Sequence, residues 1–148
     1  MCFYIRMYNL EKKLYFRWDA ILSRTGQSFD VVLKKAHLNW GTEGASRIIK
    51  KRNEYEVYIP ISIHNAQKYN IKTGEIFDCS SDDGYFQGPL KATGSQGKKL
   101  DFGKNFYKEG DLRALGYWLK DRLKASEGDI VRITFTGENS MLLTFIKS

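Results

Sequence analysis

Cysteine and histidine are scarce in this chain, with two of each in 148 residues. Cys2 and Cys79 are too few and too isolated for a disulfide framework, and together with His37 and His64 they offer no metal-ligand spacing. A structural zinc site is excluded, and both thiols are read as free, with Cys79 buried on a strand. Long apolar runs are missing as well. No stretch approaches the roughly 18 unbroken apolar residues of a membrane span, and the first residues lack the apolar core of a signal peptide. The expectation is a soluble, cytoplasmic protein with no membrane partner. Only 2 prolines stand beside 13 glycines and 14% aromatic residues, which points to short strands joined by turns. A chain of 148 residues suits one domain with one core.

The usual signatures of catalysis are also absent. No Walker loop occurs, since Gly94 and Gly97 do not open a helix after a buried strand. Neither histidine stands in a His-x-Lys arrangement suited to attack on a phosphodiester. Asp78, Asp82 and Asp83 imitate the carboxylate cluster of a metal nuclease, yet Asp82-Asp83-Gly84 reads more simply as a turn. Glu11-Lys12-Lys13 matches the end of a nuclease carboxylate-lysine motif only by chance. No catalytic residue, metal ligand or cofactor is therefore assigned.

What the chain has in excess is positive charge, and it is concentrated. The formal net charge is +7, from 24 basic and 17 acidic residues. Between residues 34 and 52, six cations (Lys34, Lys35, Arg47, Lys50, Lys51 and Arg52) face one anion, Glu43, and leave +5 of that total. No globular core accepts such charge, so the segment is expected to project into solvent as an arm. Gly41 and Gly44 free its backbone. The arm runs straight into Val57, Ile59 and Ile61, which alternate with Tyr58 and Pro60 at the period of a half-buried strand over 54–61. Adaptable polar groups on a stiff scaffold make a binding surface.

Along the chain, residues 3–8 read as an edge strand or extension. Residues 14–22 and 28–33 read as a hairpin that opens into the arm at Lys34. Ser62 is placed to cap a short helix carrying Ile63, Ala66 and Tyr69, and Lys72-Thr73-Gly74 turns the chain. Strands over 75–80 and 85–92 flank the Asp-Gly turn. A second basic loop, residues 93–99, leads to a strand over 100–103. Asp111 is expected to cap a helix reaching about Lys124, with Leu112, Leu115, Trp118, Leu119 and Leu123 as its core stripe. Tyr58 and Trp118 are assigned to the core. A hairpin over 129–136 and 140–147 closes the chain. The fold class is mainly β (α+β), a closed or nearly closed barrel capped by helices.

The two basic loops carry the functional signal. In the first, the six cations suit phosphate contacts, while His37, Asn39, Trp40, Thr42, Glu43, Ser46 and Arg47 include types able to read base edges. Trp40 also suits an apolar anchor at the base of the arm. The second loop offers Lys91, Thr93, Ser95, Gln96, Lys98, Lys99, Lys104 and Asn105 in the same mixture. Two such arms would make a clamp on nucleic acid. The bland alternative is a pair of ordinary solvated loops rich in lysine.

Leu38-Asn39-Trp40-Gly41, a basic gap, and then Glu56-Val57-Tyr58-Ile59-Pro60-Ile61 resemble the opening of the DNA-binding pseudobarrel domains that serve as specificity modules of restriction endonucleases. More distant relatives occur in plant transcription factors. Phe77-Asp78-Cys79, Gly103-Lys104-Asn105, Leu115-Gly116-Tyr117-Trp118-Leu119 and Arg122-Leu123 resemble the family's second half, so the likeness spans about residues 14–147. It implies a pseudobarrel of about seven strands with two short helices, and two arms gripping the major groove, Lys34 to Arg52 and Gln87 to Asn105. The implied partner is double-stranded DNA, with cleavage by a separate nuclease domain or subunit, often phospholipase D-like. The chain would then be a detached specificity module, a piece of a larger enzyme, or a stand-alone relative working with another subunit. The basic run after Gly41 is longer than the family pattern. Rival readings are an RNA- or single-strand-binding basic barrel and a metal-dependent nuclease using Asp78, Asp82 and Asp83.

Overall fold

The structure, a computed structural model, describes residues 24–39 and 53–148. Seven strands make one sheet: β1 (Ser28–Val32), β2 (Ile59–Pro60), β3 (Ile76–Ser81), β4 (Gln87–Thr93), β5 (Asn105–Tyr107), β6 (Ile130–Gly137) and β7 (Ser140–Ile146). Their spatial order is β1-β6-β7-β3-β4-β5-β2, and the sheet curls into a nearly closed barrel, the pseudobarrel architecture. Every adjacent pair is antiparallel except β3 and β7. Short helices fill the gaps: α1 (Lys35–Leu38), α2 (Ile63–Lys68) and α3 (Ala114–Gly116), the last running into a π-helical segment, Tyr117–Arg122.

The two-residue period of the strands builds the core. Phe29 and Val31, Phe77 and Cys79, Leu90 and Ala92, Val131, Ile133 and Phe135, and Met141 and Leu143 are all buried. Phe77 meets Phe106 edge-on with centroids 5.8 Å apart, and Phe29 stacks on Tyr69 at 5.2 Å. Cys79 is a free thiol inside this core, and burial pushes its pKa up to about 12, so it is no nucleophile.

Arg24 plugs one end of the barrel. Its buried guanidinium donates to the carbonyls of Glu138, Tyr69 and Asn70 and pairs with Glu75 at 2.9 Å. It also lies over the Phe77 and Phe135 rings, at 5.1 and 5.4 Å. Glu75 accepts in turn from the Lys72 N–H at 2.9 Å and from Asn139 at 3.2 Å. Burial raises the Glu75 pKa, but the hydrogen bonds from Arg24, Lys72 and Asn139 outweigh it and leave the carboxyl below its ordinary value.

Several expectations need correction. Residues 3–8 and 14–22 lie outside the described residues, and among those described β1 pairs with β6 near the end of the chain. The strand expected over 54–61 pairs only at Ile59–Pro60, because β5 offers a short edge. Its alternation survives, with Val57, Ile59 and Ile61 buried. Tyr58 therefore sits half-exposed on the opposite face and outside the core. The strand placed at 100–103 lies at Asn105–Tyr107, where Phe106 drops into the core. Leu100 stands 66% exposed, and Phe102 makes only an isolated bridge to Lys72.

The helix expected over 111–124 starts at Ala114 and widens at Tyr117, so Asp111 is not its cap. Its stripe holds at Leu115, Trp118 and Leu119, which are buried, while Leu112 is exposed. Past Lys34, where the arm is expected to open, the chain first makes the short helix α1, and residues 40–52 of the arm lie outside the described residues. Ser62 caps α2 as expected, its hydroxyl accepting the Asn65 N–H at 3.1 Å, though Ile63 faces solvent.

Candidate nucleic-acid interface

Strand register fixes where the two basic loops leave the barrel. Ile59 faces Phe106 and Pro60 faces Asn105, while Asn105 faces Thr93 and Tyr107 faces Lys91. The first loop thus re-enters at the start of β2, beside the end of β5. The second loop leaves the end of β4 and returns at the start of β5, beside the end of β2. The roots of the two loops thus stand at opposite ends of the β4–β5–β2 ladder, with one face of that ladder between them. Since Leu90, Ala92, Phe106 and Ile59 point inward, the alternate residues Lys91, Thr93, Asn105, Tyr107 and Pro60 share the outer face, each half-exposed. Three residues singled out in the sequence, Lys91, Thr93 and Asn105, are brought together there.

The first loop is described only at its roots. Lys34 and Lys35 are exposed, and His37 turns back so that its Nδ1 accepts the Lys34 N–H at 3.0 Å. The imidazole also meets Tyr58 edge-on at 5.4 Å. Burial, then the charge of Lys34, lower its pKa, so the ring is neutral at pH 7. Asn39 ends α1 with its N–H on the Lys35 carbonyl at 2.9 Å. Trp40, Thr42, Glu43, Ser46, Arg47, Lys50, Lys51 and Arg52 lie outside the described residues.

On the return side, Asn53 Oδ1 accepts the Tyr55 N–H at 2.8 Å, and Lys120 Nζ donates to the Glu54 carbonyl at 2.7 Å. The Tyr55 and Tyr117 rings pack at 4.8 Å. Gly116 lies so close to the Tyr55 backbone that a methyl group on it would collide with the Tyr55 carbonyl. The root of the first loop is therefore seated directly on the backbone at the junction of α3 and the π-helical segment.

The second loop is described through its body, and its own backbone is braced. Lys99 N–H donates to the Gln96 carbonyl at 2.8 Å around Gly97, whose φ of +57° suits glycine. Gln96 Nε2 donates to the Ile61 carbonyl at 2.6 Å and to that of Gly103 at 2.9 Å. Its amide hydrogens are thus committed to holding the loop. Thr73 N–H reaches the Asp101 carbonyl at 2.8 Å, Lys104 N–H reaches the Thr93 carbonyl at 2.8 Å, and Lys72 Nζ sits over the Phe102 ring at 4.9 Å. Ser95, Lys98, Lys99 and Lys104 remain exposed, and none of these three lysines is ion-paired among the described residues. Lys91 is paired, to Glu109 at 3.0 Å.

The outer face ends at a cleft of about 440 Å³ whose lining includes Glu56, Glu109, Asp111, Arg113 and Tyr107. Glu109 there is paired with Lys91, and Glu56 and Asp111, beside Arg113, mark the border of the face on the side of the first loop's root. Among the described residues no group of three histidines, cysteines or carboxylates is arranged to hold a metal. Asp83 is spent on structure, accepting from Trp118 Nε1 at 3.2 Å, Ser81 Oγ at 2.5 Å and the Tyr85 N–H at 3.0 Å. Asp82-Asp83-Gly84 is the turn between β3 and β4, as read.

Residues 20–142 match the family of NgoFVII C-terminal B3-like DNA-binding domains. The chain belongs to that family. No curated protein matches it at a significant level. The match takes in both basic loops and six strands complete, with β7 matched as far as Leu142, and it supports DNA binding by this B3-like domain. None of its described helices is long and apolar enough to cross a membrane. Beyond the residues chosen from sequence, the structure adds the half-exposed rings of Tyr58 and Tyr107 to the outer face. Their alternation with Val57, Ile59 and Phe106 was the signal that could have found them.

Proposed function

We propose that this B3-like domain binds double-stranded DNA sequence-specifically, its two loops entering the major groove, as the cytoplasmic target-recognition module of a restriction endonuclease. The observation that supports the reading is that the roots of the two basic loops lie at opposite ends of one polar strip, Lys91, Thr93, Asn105 and Tyr107. Two projections separated by a strip of sheet suit the two walls of a groove. Lys34, Lys35, Lys98, Lys99 and Lys104 neutralise phosphates, and Arg47, Asn39, Ser95 and Asn105 supply the donors and acceptors that base edges require. Cleavage belongs to a separate nuclease domain or subunit.

The test is selection of sites from a random duplex pool at about 0.15 M salt, where non-specific attraction is damped. An enriched motif of a few base pairs supports the reading. Arg47→Ala should then relax one base position, a discrimination of about 1 to 3 kcal/mol, whereas Lys51→Ala weakens all sequences alike. Binding that only tracks ionic strength, or that unpaired RNA outcompetes, sinks it and favours a surface on which Tyr58 and Tyr107 stack bases.

A further inference from the structure

Leu100 is the most exposed large apolar residue among those described, at 66%. A single exposed leucine is ordinary on a protein surface. Three features make this one different. The loop already has its apolar anchor, since Phe102 packs against the core under Lys72. Leu100 is thus not required to hold the loop down. Its position is also fixed: the carbonyl of the next residue, Asp101, takes the Thr73 N–H, and Phe102 N–H donates to the Lys99 carbonyl at 3.2 Å. Finally, it directly follows Lys98 and Lys99, exposed cations of the kind that hold a loop tip against phosphates.

Resting on the DNA-binding reading above, we infer that Leu100 recognises a pyrimidine 5-methyl group in the major groove, that of thymine or of 5-methylcytosine. The chemistry of the groove makes the choice. Its edges present hydrogen-bond donors and acceptors with one apolar group among them, the C5-methyl. Against any polar edge atom, a rigidly held leucine strips water and returns no hydrogen bond. Against a methyl it removes apolar surface from water on both partners, about fourfold in affinity per methyl. The contact therefore attracts one class of base pair and disfavours the others, which is how a loop rich in lysine gains sequence information.

The experiment takes the duplex selected by the wild-type protein and replaces each thymine in turn by deoxyuridine, which lacks only the methyl, and each cytosine by 5-methylcytosine, which adds it. Wild-type protein should lose about fourfold at one thymine, or gain about fourfold at one cytosine. Leu100→Ala should bind more weakly and show no difference between the methylated and unmethylated base at that position. Leu100→Met, which keeps an apolar tip, should restore it. Because Leu100 is exposed, equal thermal transitions for the variants separate recognition from folding. If the wild type selects a site but no methyl effect depends on residue 100, this inference fails and the DNA-binding reading stands. If the wild type selects no site, both fail.

Discussion

The two basic loops look alike in sequence, and the structure describes the second through its body and the first at its roots. The second carries its own framework: Gln96 clamps Ile61 and Gly103, Thr73 holds Asp101, and Phe102 is packed against the core. The first is secured at its roots by neighbours, with His37 against Lys34 and Tyr58, and with Tyr55 pressed onto Gly116. Similar composition thus says nothing of these supports, which come from residues distant in the chain. A loop braced through its body presents groups at set positions, and a root that leans on distant segments passes any change in those segments on to the loop it carries. Stability and DNA affinity should therefore separate differently in the two.

The largest effect should come from beneath the second loop. Arg24→Met would strand Glu75 and three carbonyls in a buried site and is expected to destabilise by about 3 to 5 kcal/mol, measured by denaturant unfolding. Since Glu75 holds the Lys72 N–H and Thr73 holds Asp101, the second loop should lose amide protection first in this variant. Equal loss of protection in both loops would erase the contrast.

Next comes Gly116→Ala beneath the first loop. The added methyl must push Tyr55 away, at about 3 kcal/mol and on the order of 10 °C in Tm. Its signature is relief by a second change in the Tyr55 segment and intact protection of Gln96 and Lys99. Smaller again is Gln96→Ala, which leaves two carbonyls without their donor and is expected to cost about 1 to 2 kcal/mol. DNA affinity should fall by a similar factor although no charge has changed. Affinity equal to wild type would mean that the brace does not present the loop.

The subtlest difference is in pH. The pKa of His37 is lowered from 6.5 by burial and then by Lys34. The unfolded state binds the proton more readily, so this contribution is complete above pH 6.5 and is lost as pH falls through the lowered folded value. Protonated Nδ1 can no longer accept the Lys34 N–H. For Glu75, lowered from 4.5, the same sign places the loss below pH 4.5. Acidification should therefore loosen the root of the first loop before it loosens the platform of the second. Hydrogen exchange at Lys34 and at Thr73 measures the order.

Much of the barrel was legible from residue patterns. The period of two in β1, β3, β4, β6 and β7 places their inward residues with no further information, and Asp-Gly fixed the turn after β3. The short strand β5 was misplaced because Leu100 and Phe102 show the same period as Phe106. Only the partners Ala92 and Ile59 select between the two registers. The start of α3 was misread because a cap motif reports local preference, whereas the approach of Tyr55 to Gly116 involves residues some sixty positions apart. Among candidate site residues, Lys98 and Lys99 were readable as solvated charge. The amide of Gln96 was not, since nothing in sequence says that two carbonyls from other segments point at it.

The sequence by itself determined the composition of the surface: where charge gathers and which residues alternate. These follow from solvation and backbone periodicity, which act over a few residues. Tertiary structure alone decided that the roots of the two basic loops stand at opposite ends of one strip, that the second loop is braced in its body, and that Tyr55 beside the first loop's root is seated on Gly116. Those outcomes depend on strand register and on close backbone packing between distant segments, and short-range preferences do not encode either.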